Sequence, residues 1–432
     1  MQTFLSLLAI SAGIIAAPLI AFREAHTSLL LSSVGILAVT LAAIRNKGLF
    51  NPVTLFIVTA APYSLAGAVD ILTYGNSINF NIDSISALTW YCLAFLVTFY
   101  FAADFRIKTH SNLLIKPKSR HKLANPALVL LACTNALVVY LNFGFDIGSL
   151  SRAEIYSSKS VFYDIFKLIS QSSIIYFLWD ALINRKQAPK QIAPAILALA
   201  SIIVIDVVIV GDRRMATVLL LILGYFYTIN KPISRVHWLM IGVGSALLFA
   251  AGLFRNLSAE SWIYVYDNLE LTRVANPANQ EFGAFAKVWN DVYHGGDVVH
   301  QLTYAEAFLQ IIPSAIFPDR PIPPSVQYVR QFHPEIFALG GGMAFNAILE
   351  SIINFSVIGP FLIAVLLGSV FDRHASKSPP HILRNGILIY AFCFTLRNDL
   401  ATTLRFTIIC SVAVSTLLFL TNRIGVSRAR IR

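Results

Sequence analysis

The chain has 432 residues, of which 56% are hydrophobic and only 13% charged, against about 25% charged in a soluble globular domain. Lipid must be the solvent for most of it, which excludes a soluble enzyme carrying a single anchor. In such a chain the formal charge of +11 reads as loop charge that sets orientation, and nucleic acid is not an expected partner.

Apolar runs occur at 2–22, 28–44, 52–73, 84–103, 127–145, 161–183, 192–210, 215–230, 237–254, 343–370, 386–396 and 406–422. At roughly 20 residues per crossing, the expectation is an all-α polytopic integral membrane protein with about twelve transmembrane helices. The first run lacks the basic leader and short apolar core of a cleaved signal peptide, so it reads as the first span. The loop after the fourth run carries Arg106, Lys108, Lys116, Lys118, Arg120 and Lys122 and belongs in the cytoplasm by the positive-inside rule. Alternation then places Arg45 and Lys47, Arg185 and Lys186, Lys231 and Arg235, Arg373 and Arg384, and the basic tail from Arg423 to Arg432 inside. Both termini are expected in the cytoplasm, with 1–432 forming one membrane domain and 255–342 forming one large loop outside.

Within that loop Phe282, Phe285, Trp289 and Val292 recur at helical spacing, as do Tyr304, Phe308 and Ile311 with Ile312. Both patterns suit helices lying on a membrane surface. Pro313 to Pro324 holds five prolines and reads as an extended crossing. Cys92, Cys133, Cys393 and Cys410 all sit inside apolar runs without CxxC spacing, and no metal is expected.

The outer loops and adjoining helix ends favour arginine over lysine. Arginine presents a planar fork of donors that matches a phosphate bidentately and never loses its charge. Arg213 and Arg214 follow Gly211-Asp212, Arg255 follows Phe254, and Arg397 and Arg405 flank Asn398-Asp399. These five are candidate ligands for a phosphate near lipid. The plainer reading is that Asp212 and Asp399 neutralise them at helix turns, with snorkelling supplying the rest.

Asn346, Glu350 and Asn354 recur at i, i+4 and i+8 on one face of a late span. An intramembrane carboxylate near the outer surface is a candidate base or hydroxyl ligand, and the alternative is a polar seam bonded to a neighbouring helix. Among the outer histidines His294, His300 and His333, the last is the best-placed second candidate base.

Three segments, Ile312-Pro-Ser-Ala-Ile-Phe-Pro-Asp-Arg-Pro321, Gly340-Gly-Gly-Met-Ala-Phe-Asn-Ala-Ile-Leu-Glu350 and Asn354-Phe-Ser-Val-Ile-Gly-Pro360, resemble the bacterial oligosaccharide repeat-unit polymerases, the Wzy-type O-antigen polymerases. Gly211-Asp-Arg-Arg214 and Leu396-Arg-Asn-Asp399 support the likeness. The resemblance implies a fold similar to GT-C glycosyltransferases and a cofactor-free, metal-independent transfer of a growing glycan from undecaprenyl pyrophosphate to a new lipid-linked repeat. It implies the inner membrane with a periplasmic active face. Implied partners are the undecaprenyl-pyrophosphate-linked oligosaccharide, membrane lipid and a chain-length regulator. In that reaction Glu350 or His333 would take the acceptor proton, Arg213, Arg214, Arg255, Arg397 and Arg405 would hold the donor pyrophosphate, and Arg320, Asn346 and Asn354 would bind substrate. A flippase or secondary transporter and an O-antigen ligase remain alternatives.

Overall fold

The computed structural model describes residues 24–103, 124–144, 161–183, 192–205, 213–229, 276–279, 282–295, 303–310, 312, 317–338, 345–371, 379–393 and 398–429. All regular structure among these residues is helical. The α-helices in chain order are α1 (Ala25–Lys47), α2 (Pro52–Thr73), α3 (Ile82–Ala102), α4 (Ala124–Phe143), α5 (Val161–Ile183), α6 (Ile192–Val204), α7 (Arg213–Thr228), α8 (Gly283–Gly295) and α9 (Thr303–Gln310). They continue with α10 (Pro324–Phe332), α11 (Pro334–Ala338), α12 (Ala347–Phe355), α13 (Gly359–Val370), α14 (Pro379–Phe392) and α15 (Leu400–Ala429).

Local chemistry accounts for several boundaries. The Asn51 side chain accepts from the amide of Val53 at 3.0 Å, and Pro52 occupies the first helical position, where no amide partner is needed. Asn81 caps α3 in the same way through Ser84, at 2.9 Å. Asn346 caps α12 by accepting from the amides of Ile348 and Leu349.

Five stretches among the described residues are long and apolar enough to cross a membrane: α1, α2, α3, the α12–α13 tandem over Ala347–Val370, and Leu400–Leu420 of α15. This is the make-up of a helical membrane protein. The helix α5 is also long enough, but it carries Asp164, Lys167 and Asp180. The expected runs 2–22 and 237–254 lie outside the described residues.

The run expected as one helix over 343–370 is broken. Ser356 has φ +55°, a backbone conformation uncommon for any residue but glycine. A single 3-10 turn, Ser356–Ile358, then leads into α13. The turn brings Gly359 against the end of α12, where an added Cβ would lie 2.0 Å from the Ser351 carbonyl oxygen, so no other residue fits without moving backbone. Pro360 follows, with no amide to satisfy.

The chain divides into two compact units. The first comprises Met1–Thr109, Leu269–His374 and Phe392–Arg405. Its core is α1, α2 and α3, with α1 and α3 joined by hydroxyl contacts: Ser32 to Thr89 at 2.6 Å and Ser86 to Ser28 at 2.9 Å. Phe56, Phe95, Phe99 and Phe371 fill its centre. The helix α13 lies close on α3, because Gly368 sits where a Cβ would be 2.7 Å from Ala102 Cβ and 2.9 Å from the Phe99 carbonyl oxygen. Part of the expected outer loop belongs to this unit. Of the predicted stripe, Phe285 and Trp289 are buried on α2 and α3 and Phe282 and Val292 half-buried; Ala286 and Val288 are enclosed beside them, and the Trp289 indole donates to the Ser84 carbonyl at 2.8 Å. By contrast α9 buries Thr303, Ala307 and Gln310 and exposes Phe308 and Leu309.

The second unit comprises His110–Asn268, Ala375–Ala391 and Phe406–Arg432. Its helices α4, α5 and α6 pack on one another, and α7 packs on α5. Buried polar pairs fix α14 within it: Asn385 donates to the Tyr225 hydroxyl at 3.1 Å, and the Tyr390 hydroxyl donates to Gln171 at 2.9 Å.

Candidate functional site

Of the described candidate residues, Glu350, Asn354, Arg320 and Arg405 meet in the first unit, around the short helix α9. Glu350 is fully buried on α12. One carboxyl oxygen accepts from the Thr303 hydroxyl at 3.2 Å, at the first residue of α9. The other accepts from the Leu400 amide at 2.7 Å, at the first residue of α15. Asn354, one turn on, donates to the Thr303 hydroxyl and to the Glu350 carbonyl, each at 2.7 Å, and accepts from the Tyr304 amide at 3.1 Å. Helix N-termini present unsatisfied amides and partial positive charge, so a carboxyl and an amide oxygen are natural partners for them. Burial, with the Glu350 charge nearby, pushes the Tyr304 phenol well above its ordinary pKa, and its hydroxyl donates to the Ala347 carbonyl at 3.4 Å.

The opposite end of α9 carries the opposite sign. Arg320 Nη1 donates to the carbonyls of Gln310 and Ile312 at 3.1 and 3.0 Å, and Arg405 Nη2 donates to the same Gln310 carbonyl at 3.1 Å. Two guanidiniums thus converge on a helix C-terminus, where orphan carbonyls and the negative end of the dipole favour cations. Asp399 does not neutralise Arg405 by direct pairing. It caps α15 through the Thr402 amide at 2.7 Å and accepts from the Ser325 hydroxyl of α10 at 2.8 Å.

A third cluster is more open. The His333 side chain is 28% exposed and lies 3.6 Å from Asp291, which is 30% exposed. The Tyr328 hydroxyl donates to the same Asp291 oxygen and lies 3.1 Å from His333 Nε2. Burial first, and then the bond to Asp291 and its charge, hold the phenol protonated far above its usual range. With that proton committed to Asp291, the tyrosine oxygen is placed to accept from His333 Nε2. The His333 backbone is held on both sides, its amide donating to the Val329 carbonyl at 2.9 Å and its carbonyl accepting from the Phe337 amide at 3.0 Å.

The structure therefore joins Glu350 with Asn354, and Arg320 with Arg405, while Asn346 serves as the cap of its own helix. Arg213 and Arg214 open α7, with side chains outside the described set, and Arg255 and Arg397 lie outside the described residues. Among the described residues no group of three His, Cys, Asp or Glu is placed to hold a metal. Asp291, Tyr328 and Thr303 were not legible as site residues. Asp291 is 37 positions from Tyr328 on a different helix, and no short motif spans that separation.

No family model, curated protein or solved structure matches this chain.

Proposed function

We propose that the chain is a polymerase of undecaprenyl-pyrophosphate-linked oligosaccharide repeats, working at the periplasmic face of a bacterial inner membrane, with about twelve spans and both termini inside. The observation that supports it best is the meeting of the resembling segments on α9. Glu350 and Asn354 from two of them hold its N-terminus, and Arg320 from the third, with Arg405, holds its C-terminus. Segments far apart in sequence thus act as one assembly, in the same compact unit as the accessible His333–Tyr328–Asp291 cluster.

In this reading the acceptor hydroxyl attacks the anomeric carbon of the donor sugar, the bond from that carbon to pyrophosphate breaks, and undecaprenyl pyrophosphate departs. The accessible base is His333, whose imidazole takes the hydroxyl proton while Tyr328 and Asp291 orient the ring. Glu350, enclosed and already accepting two hydrogen bonds, positions α9 and α15. Arginines near the outer leaflet would stabilise the charge developing on pyrophosphate.

The test is the lipopolysaccharide or capsule ladder of a deletion strain. A polymerase loses the ladder and leaves one repeat attached, whereas a strain with no repeat attached refutes the assignment and indicates a ligase or flippase. The helix break at Ser356–Ile358 favours a second reading, a transporter of a lipid-linked or anionic solute, because transporter sites often use discontinuous helices. Purified protein that moves a lipid-linked repeat across vesicles without lengthening it would support that alternative.

A further inference from the structure

The second unit contains a cavity of about 220 Å³ that the proposed reaction does not use. Its walls are mostly apolar and include Trp179 from α5 and Leu383 and Leu388 from α14. Polar groups enter from two helices. Arg384 projects from α14, and Thr407, Ser411 and Ser415 line the space from α15 at i, i+4 and i+8. A guanidinium inside an apolar helix is costly and marks a polar partner or pathway.

The surroundings indicate how an occupant enters. Ile408, Val412, Phe419 and Leu420 of the same helix are exposed apolar residues, between 44% and 60% accessible, as expected of a helix face turned to lipid. Ser415, on the cavity wall, is exposed as well. The cavity therefore opens beside a lipid-facing surface, and an occupant arriving from the bilayer brings its own acyl chains. The volume suits a phosphate and a few methylenes and is too small for a complete lipid.

We infer that this cavity binds the headgroup phosphate of an anionic membrane lipid, with Arg384 pairing the phosphate, the α15 hydroxyls donating to its oxygens, and the apolar walls taking the first part of the acyl region. A phosphate bound by a guanidinium is a charge-assisted, bidentate arrangement, and the apolar walls distinguish a lipid from free phosphate.

Full-length protein in detergent is titrated with dioleoyl phosphatidylglycerol, dioleoyl phosphatidylcholine or sodium phosphate, and bound species are counted by native mass spectrometry. Phosphatidylglycerol should be held roughly fivefold more tightly than phosphatidylcholine, the scale of one basic residue acting on an anionic lipid. Arg384→Gln should abolish that preference. Ser411→Phe, which fills the space and leaves Arg384 in place, should lose phosphatidylglycerol at unchanged thermal stability. A measurement on unmodified polar groups stands beside these: phosphatidylglycerol with brominated acyl chains should quench the Trp179 share of the emission, identified by subtracting Trp179→Phe. Equal retention of both lipids by the wild type, an unchanged preference in Arg384→Gln, or no quenching of Trp179 would overturn the inference. So would displacement of phosphatidylglycerol by millimolar sodium phosphate, which would assign the site to a free anion.

Discussion

Two polar clusters of the first unit use similar residues for different ends. The Glu350 carboxyl takes its donors from helix termini, one from the start of α9 and one from the start of α15, and its side chain is closed to solvent. Around His333 the described side-chain bonds run to other side chains, Tyr328 linking Asp291 to the imidazole, and the histidine and aspartate are each nearly a third exposed. A buried acid whose oxygens already accept is suited to fixing helices, while an accessible imidazole oriented by a phenol and a carboxylate is suited to moving a proton. Intramembrane acidity in a sequence points to importance, and the distribution of donors decides of which kind.

The comparison breaks most sharply at His333. His333→Ala should lower chain assembly by roughly 100-fold or more, the scale of a general base, with thermal stability close to wild type; ladder formation at matched protein levels reads this. A fully active variant would remove the contrast altogether.

Its partners come next. Asp291→Asn keeps size but presents an amide that can donate toward Tyr328, so a loss of about tenfold to 100-fold is expected from the disturbed orientation of the imidazole. Tyr328→Phe should cost about tenfold in turnover with little change in KM, since it removes an orienting bond and leaves the base. Turnover measured on a purified lipid-linked repeat separates the two parameters.

For Glu350 the expected effect is on stability. Glu350→Asp withdraws the carboxyl from both Thr303 and Leu400, leaving buried donors unmet at about 1–3 kcal/mol each, and the midpoint of thermal unfolding should fall. Glu350→Gln retains one acceptor for the Leu400 amide and offers a donor to the Thr303 oxygen, so its stability should change by less than about 1 kcal/mol and its activity should persist. A stable but inactive Gln variant would move the base to Glu350. Asn354→Ala should have the smallest effect, about 1 kcal/mol for the lost cap on α9, read by the same unfolding midpoint.

Much of the helical layout was legible because hydropathy and punctuation agree. The expected limits 52–73 and 161–183 are those of α2 and α5, and Asn51-Pro52 marks the first of these plainly. Other limits shifted where a charge masked the pattern. Arg384 read as a cytoplasmic loop residue, yet it lies in the second turn of α14, which begins at Pro379. The break in 343–370 was hidden because hydropathy continues through Phe355, Val357 and Ile358, although Gly359-Pro360 was a usable warning. In the candidate site, Glu350 and His333 stood out as isolated ionisable groups, and their meaning did not. Arg405 was expected to hold the donor pyrophosphate and Arg320 to bind substrate; their contacts to backbone carbonyls follow from the direction of α9's end, which no local pattern encodes.

The turn at Ser356–Ile358 also bears on how mutations combine. At about 1.5 Å per residue, α12 reaches about 14 Å and α13 about 18 Å, so neither half alone crosses a hydrocarbon core of about 30 Å. The α12 half is tied to α9 and α15 through Glu350 and Asn354, and the α13 half to α3 through Gly368. The helical ladder is interrupted between them, and Glu350 and Gly368 touch different partners, so the two positions respond independently. A Glu350→Asp and Gly368→Ala double variant should lose the sum of the two single losses to within about 0.5 kcal/mol, whereas Glu350→Asp with Asn354→Ala, sharing Thr303, should depart from additivity by more.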